Sequence, residues 1–161
     1  MIKNFNLFLL TFFFIGRIKY APGTVASFIT CILFLFLINF FNLSVIFFIT
    51  LTIFIYSFFA INNSFDEFKS DDPKEIVIDE VVGQILPLLA IPVYETLYPL
   101  PKIYYFISAF ILFRLFDIWK PFPISYVDIN VKGSLGIMLD DIVASIYSIL
   151  ILSLIFIFFG G

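Results

Sequence analysis

The sequence predicts an all-α fold, a polytopic membrane helical bundle with short interfacial or re-entrant helices, and three observations carry that reading. Of the 161 residues 62% are hydrophobic and 13% charged, and mean hydropathy is +1.12, a composition suited to lipid rather than water. The apolar residues lie in runs broken by short polar or proline-rich stretches, giving room for about five short spans and no separate soluble domain, so residues 1–161 are one domain. Threaded alternately across a bilayer, these runs leave nearly every cation on one side.

Residues 5–15 are about eleven mostly apolar positions, too short to span and not followed by a small-residue cleavage site; an interfacial or half-buried helix is expected. GRIKYAPGT, residues 16–24, is a Gly/Pro-punctuated loop with two cations, and Thr24 is the natural N-cap of the apolar run 25–41. Asn42 breaks that run. Residues 43–61, about nineteen positions or about 28 Å of helix, return across the hydrocarbon core. NNSFDEFKSDDPKE, residues 62–75, is the most polar window and reads as surface, with Asp71 and Asp72 before Pro73 in a solvated turn. Residues 77–93 form a weaker helix containing Pro87, a span or a re-entrant segment, with Asp79 and Glu80 at its start. PVYETLYPLPK, residues 92–102, is a proline-rich turn. Residues 103–116 are the third strong run, 119–136 a polar loop, and 139–159 the closing run. There is no internal repeat, and the 25 phenylalanines read as lipid-facing filler.

Alternate threading places Arg17, Lys19, Lys69, Lys74, Arg114, Lys120 and Lys132 together, with Lys102 opposite; by the positive-inside rule the crowded side is cytoplasmic. The same threading brings Asp79, Glu80, Asp117, Asp140 and Asp141 to that face from three separated segments. A carboxylate at the middle of a membrane helix costs about 2.5–3.5 kcal/mol, so Asp140 and Asp141 are expected at the membrane edge, before the last span, where the helix dipole favours anions. Asp140 alone would serve as a cap; its neighbour would then have no task. Asp79 and Gly83 stack at i, i+4, so that another group can come close where Gly83 has no side chain. Arg114 and Asp117 share a face at i, i+3, and Pro121 ends their helix. Gly133 and Gly136 leave backbone N–H groups able to face a phosphate.

The chain contains no histidine, which removes histidine nucleophiles, Ser-His-Asp triads and histidine-bound zinc together. Its one cysteine, Cys31, can form no internal disulfide and is not followed by the arginine of a cysteine phosphatase. Acid, base and metal chemistry therefore falls to carboxylates. An acidic cluster flanked by cations at one membrane face suits a divalent cation such as Mg2+ on oxygen ligands, with Arg and Lys gripping a phosphate. A small membrane ion transporter with an acidic cation site is the alternative; it would need its carboxylates near the midplane rather than at run ends.

Four segments, APGTVAS (21–27), DPKEIVIDEVVGQ (72–84), FRLFDIWKPFPI (113–124) and GIMLDDIVAS (136–145), together resemble the signature blocks of the phosphatidylglycerophosphatase A family, in the family's order and over almost the whole chain. In the first block Arg17, Lys19 and Ala26 depart from the family pattern, whereas the carboxylate blocks are intact. The resemblance implies an all-helical bundle and a Mg2+-dependent phosphatase that converts phosphatidylglycerophosphate to phosphatidylglycerol. It further implies Asp79, Glu80, Asp117, Asp140 and Asp141 as metal and catalytic carboxylates, and Arg114, Lys120, Arg17 and Thr24 as contacts to the substrate phosphate, the Pro22–Thr24 turn closing around the head group. The expected setting is the bacterial inner (cytoplasmic) membrane, crossed several times, with the site facing the cytoplasm. The expected partners are the bilayer and the phospholipid substrate; no nucleic acid is expected.

Overall fold

The computed structural model describes residues 2–68, 73–98 and 100–159; the solvated-turn expectation at Asp71 and Asp72, and Lys69, lie outside them. The described residues are helical without strands, as expected, and form one bundle.

The first helix, α1, runs Ile2–Leu10, earlier than residues 5–15. Its end is set at Thr11, whose hydroxyl donates to the Leu7 carbonyl and accepts from the Phe14 amide, while Phe12, Phe13 and Phe14 all adopt positive φ. Such φ values stop an α-helix, and a 3-10 turn at Ile15–Arg17 follows. The helix lies on α3 (Leu43–Ser64) through buried Asn6, which donates to Ser64 Oγ at 3.1 Å and accepts from the Tyr56 hydroxyl at 2.9 Å.

The next helix, α2, spans Pro22–Leu37 and starts two residues before the expected Thr24 cap. Proline at the first helical position has its φ preset and lacks an N–H that would go unbonded, so Pro22 rather than Thr24 fixes the start. Asn42 then caps α3, accepting the Val45 amide at 2.9 Å. The weak helix is α4, Ile78–Leu89, with Pro87 inside it; a bend at Ala90 leads into α5, Ile91–Leu97. The proline-rich turn expected at residues 92–102 is therefore half helix, because Pro92 falls in the first turn of α5, where proline is tolerated. Lys102–Trp119 forms α6, closed by Lys120 at φ 46° and the following Pro121. The expected loop 119–136 contains α7, Ile124–Asn130, and the last helix, α8, begins at Gly133 and runs to Phe159, 27 residues or about 40 Å.

Among the described residues three stretches are long and apolar enough to cross a membrane: Leu43–Glu67, Ile78–Leu97 and Gly133–Phe158, with mean hydropathies of 2.3, 1.2 and 2.4. The shorter apolar α2 and the more charged α6 complete the bundle. Of the about five short spans the sequence has room for, three reach that length among the described residues, the middle one bent. At the centre stands α4, packed against α2, α3, α6 and α8, with eight of its twelve residues buried. Phe28, Phe36, Phe47, Phe48 and Phe59 are exposed on the outer faces of α2 and α3, the pattern of a surface that meets lipid.

Candidate active site

One end of the bundle gathers the N-termini of α2 and α4, the C-terminus of α6, α7 and the early turns of α8. These surround a cavity of about 690 Å³. Asp79 and Glu80 come from the first turn of α4, Arg114 and Asp117 from the last turns of α6, Lys120 from its cap, and Asp140 and Asp141 from α8, all of them lining the cavity.

Two glycines permit this convergence. A Cβ on Gly83 would lie 2.8 Å from the Phe113 ring and 3.1 Å from Asp141 Cβ, so α4 approaches α6 and α8 only because that atom is missing. The group expected to come close at Gly83 is thus the protein's own packing. Ser145, one turn beyond Asp141, fastens the contact: its hydroxyl lies 2.6 Å from both the Gly83 and the Asp141 carbonyl oxygens. At Gly23 a Cβ would stand 2.0 Å from Glu80 Oε1, so the start of α2 holds the space that this carboxylate fills.

Two cations are woven into the acidic cluster. Arg114 Nη1 lies 2.6 Å from Asp117 Oδ2, with both side chains 12% exposed, and donates to Ser27 Oγ at 3.4 Å. Lys120 Nζ bridges Asp140 Oδ2 at 2.7 Å and Asp128 Oδ1 at 2.5 Å. Partial burial pulls the Lys120 ammonium down, but the hydrogen bonds and charges of Asp128 and Asp140 outweigh it and leave its pKa above the usual lysine value.

Three oxygens of the cluster are bare. Asp79, Glu80 and Asp141 each offer an oxygen within 4.8 Å of the others, and so do Asp117, Asp140 and Asp141, the two triads sharing Asp141. Asp79 Oδ1, Glu80 Oε2 and Asp141 Oδ2 are buried without a hydrogen-bond partner among the described residues. Buried carboxylate oxygens are paired or coordinate a metal, and an all-oxygen set of this kind is the ligand chemistry of Mg2+ or Mn2+. The residues present fit such an ion.

All five expected carboxylates meet in the cavity, with Arg114, Lys120 and Thr24. Arg17 does not line it; half-exposed, it lies 3.9 Å from Glu75 and stacks over the Phe14 ring. Nor are Asp140 and Asp141 at a helix start. They lie seven and eight residues into α8, past the first turn in which capping and the dipole act, so neither explains them. Gly133 and Gly136 do line the cavity. Asp128, Ser27 and Ser145 were not singled out from sequence, and Lys74 and Lys132 only as cations of this face. Ser145 has a visible signal, its i+4 spacing from Asp141, whereas Asp128 was hidden by reading α7 as loop.

The phosphatidylglycerophosphatase A family profile matches residues 8–156. A protein of Bacteroides thetaiotaomicron provisionally named a phosphatidylinositol-3-phosphatase is 33% identical over 141 residues, 86% of this chain and 85% of its own. A Haemophilus influenzae protein named phosphatidylglycerophosphatase A is 34% identical over 136 residues, 84% of this chain and 79% of its own. The Escherichia coli protein of the same name is 40% identical over 77 residues, 48% of this chain and 41% of its own. No solved structure matches. With the profile covering nearly the whole chain and the carboxylate blocks assembled into one cavity, the chain belongs to the phosphatidylglycerophosphatase A family.

Proposed function

We propose that the chain is a Mg2+-dependent membrane phosphatase that hydrolyses phosphatidylglycerophosphate to phosphatidylglycerol and phosphate. The observation that carries this reading is the cavity itself: five carboxylates, three of them with bare buried oxygens, and two partly buried cations, at one end of an apolar bundle, in a chain of this family. A transporter would place its carboxylates along a path through the bundle; here they crowd one end.

Asp79, Glu80, Asp117, Asp140 and Asp141 are the candidates to hold the ion, and the bare buried oxygens among them belong to Asp79, Glu80 and Asp141. When bound, Mg2+ supplies positive charge against the phosphoryl oxygens and lowers the cost of hydroxide formation. The chain's own residues do the rest. Arg114 and Lys120 offer N–H donors to the phosphate, which competes for them with Asp117 and Asp140. A carboxylate of the cluster accepts the proton of the attacking water as its oxygen bonds to phosphorus and the lipid alkoxide leaves, taking a proton to become the alcohol. The apolar outer faces hold the protein in the bilayer, so the diacylglycerol part of the substrate stays in lipid while its phosphate reaches the cavity. Lys102 is the one cation of the described residues at the opposite end, beside the second cavity, and this supports a bacterial cytoplasmic membrane with the site facing the cytoplasm.

The test is phosphate release by the purified protein in mixed micelles from phosphatidylglycerophosphate, phosphatidate and phosphatidylinositol 3-phosphate. Release from the first, abolished by EDTA and restored by Mg2+, is expected. Preference for the inositol lipid would move the substrate to the one in the Bacteroides relative's name, and cation flux without hydrolysis would favour the transporter.

A further inference from the structure

We propose that the acidic cluster is divided in two, with a single divalent cation in the Asp79–Glu80–Asp141 triad and with Arg114 and Lys120 standing where a second ion would sit in the Asp117–Asp140–Asp141 triad. This rests on the phosphatase reading and specifies its metal centre as mononuclear.

The two triads are alike in composition and unlike in what their oxygens already do. In the first, Asp79 Oδ1, Glu80 Oε2 and Asp141 Oδ2 have no partner among the described residues, and Asp141 is only 2% exposed. An unpaired carboxylate so deeply buried calls for a cation, and no lysine or arginine of the described residues lies within ion-pair distance of any of these three groups. In the second, Arg114 neutralises Asp117 at 2.6 Å, Lys120 neutralises Asp140 at 2.7 Å, and the other Asp140 oxygen accepts the Asp141 amide at 3.1 Å. Of that triad only Asp141 has a fully buried oxygen without a partner, and it is the residue shared with the first. A second ion would have to displace an ammonium and a guanidinium from charge-assisted contacts, or sit against them with like charge.

The division has a chemical use. In two-ion phosphatases one ion serves the attacking oxygen and the other the leaving oxygen. Here the fixed cations Arg114 and Lys120 take one of those places and keep their charge whatever the metal supply. Mg2+, which retains several waters and needs few protein carboxylates, is suited to a triad of this size.

Binding of Mn2+ to the full-length protein in detergent micelles, followed by the loss of the free-ion paramagnetic resonance signal, reads this directly without turnover. One Mn2+ per chain is expected at saturation. Glu80→Gln should weaken binding at least about tenfold and Asp117→Asn by less than about threefold, with helicity by circular dichroism checked for both. Two Mn2+ per chain, or equal losses in the two variants, would overturn the inference; the wild-type count decides even if a variant misfolds. Two ions with EDTA-sensitive phosphate release would overturn only this division, whereas no Mn2+ binding with EDTA-insensitive release would overturn the metal-dependent reading as well.

Discussion

Gly23 illustrates how a single residue governs this site. The carboxylate oxygen of Glu80 occupies the position that a Cβ there would take, at 2.0 Å, so Gly23→Ala must push Glu80 aside. Glu80 is the flexible partner and the change sits at the mouth of a cavity, so the fold should survive while the carboxylate is displaced. Phosphate release is expected to fall at least about tenfold, with membrane insertion and yield unchanged; near-normal release would mean that Glu80 need not stand where it does. At this scale the sequence was informative about charge and poor about partners. Five carboxylates on three of the four signature blocks were legible because a lipid-embedded chain keeps so few of them. That Lys120 is shared by Asp128 and Asp140, and that Arg17 turns away to Glu75, depends on where loops fold and has no periodic signal.

Among the elements, the contact between α4 and α8 sets the cavity. Ser145 bonds across it to the Gly83 carbonyl and along its own helix to that of Asp141. Ser145→Ala removes the cross-helix bond while retaining the close packing that Gly83 allows. The loss should be about 0.5–1.5 kcal/mol, read as a lowered thermal midpoint in detergent, since interhelical hydrogen bonds in membranes are individually modest. An unchanged midpoint would show that packing alone holds the two helices. The apolar runs of α2, α3, α6 and α8 were legible from hydropathy alone. The short helices α5 and α7, seven residues each, were not: proline before or within the first turn of each imitates a turn signal, and neither is long enough to display a period. The early start of α8 was missed for a related reason, since Gly133 and Gly136 read as loop although Gly133 is where the helix begins.

The whole molecule has two unlike ends, and the proposed orientation can be checked from outside. With Cys31 replaced by Ser, single cysteines at exposed Lys19 and Asn130 mark the site end, and one at exposed Thr96 marks the other. Labelling with an impermeant reagent in intact cells should modify Thr96→Cys alone, the other two reacting only after the membrane is opened. Reaction of Asn130→Cys in intact cells would turn the site outward. The general architecture was readable from composition and run length because backbone in lipid must be helical or a closed barrel; the bend at Ala90 and the depth of Asp140 and Asp141 in α8 needed coordinates. Those two aspartates give the most direct test of the central claim, that the acidic end of the bundle is a metal-dependent phosphate-ester site. Asp141→Asn keeps shape and volume and removes one negative charge from the residue shared by both triads. Phosphate release from phosphatidylglycerophosphate should drop by about two or more orders of magnitude with insertion intact, while Glu95→Gln, at the opposite end beside Lys102, stays near wild type. Near-normal release by a correctly inserted Asp141→Asn protein would contradict the account.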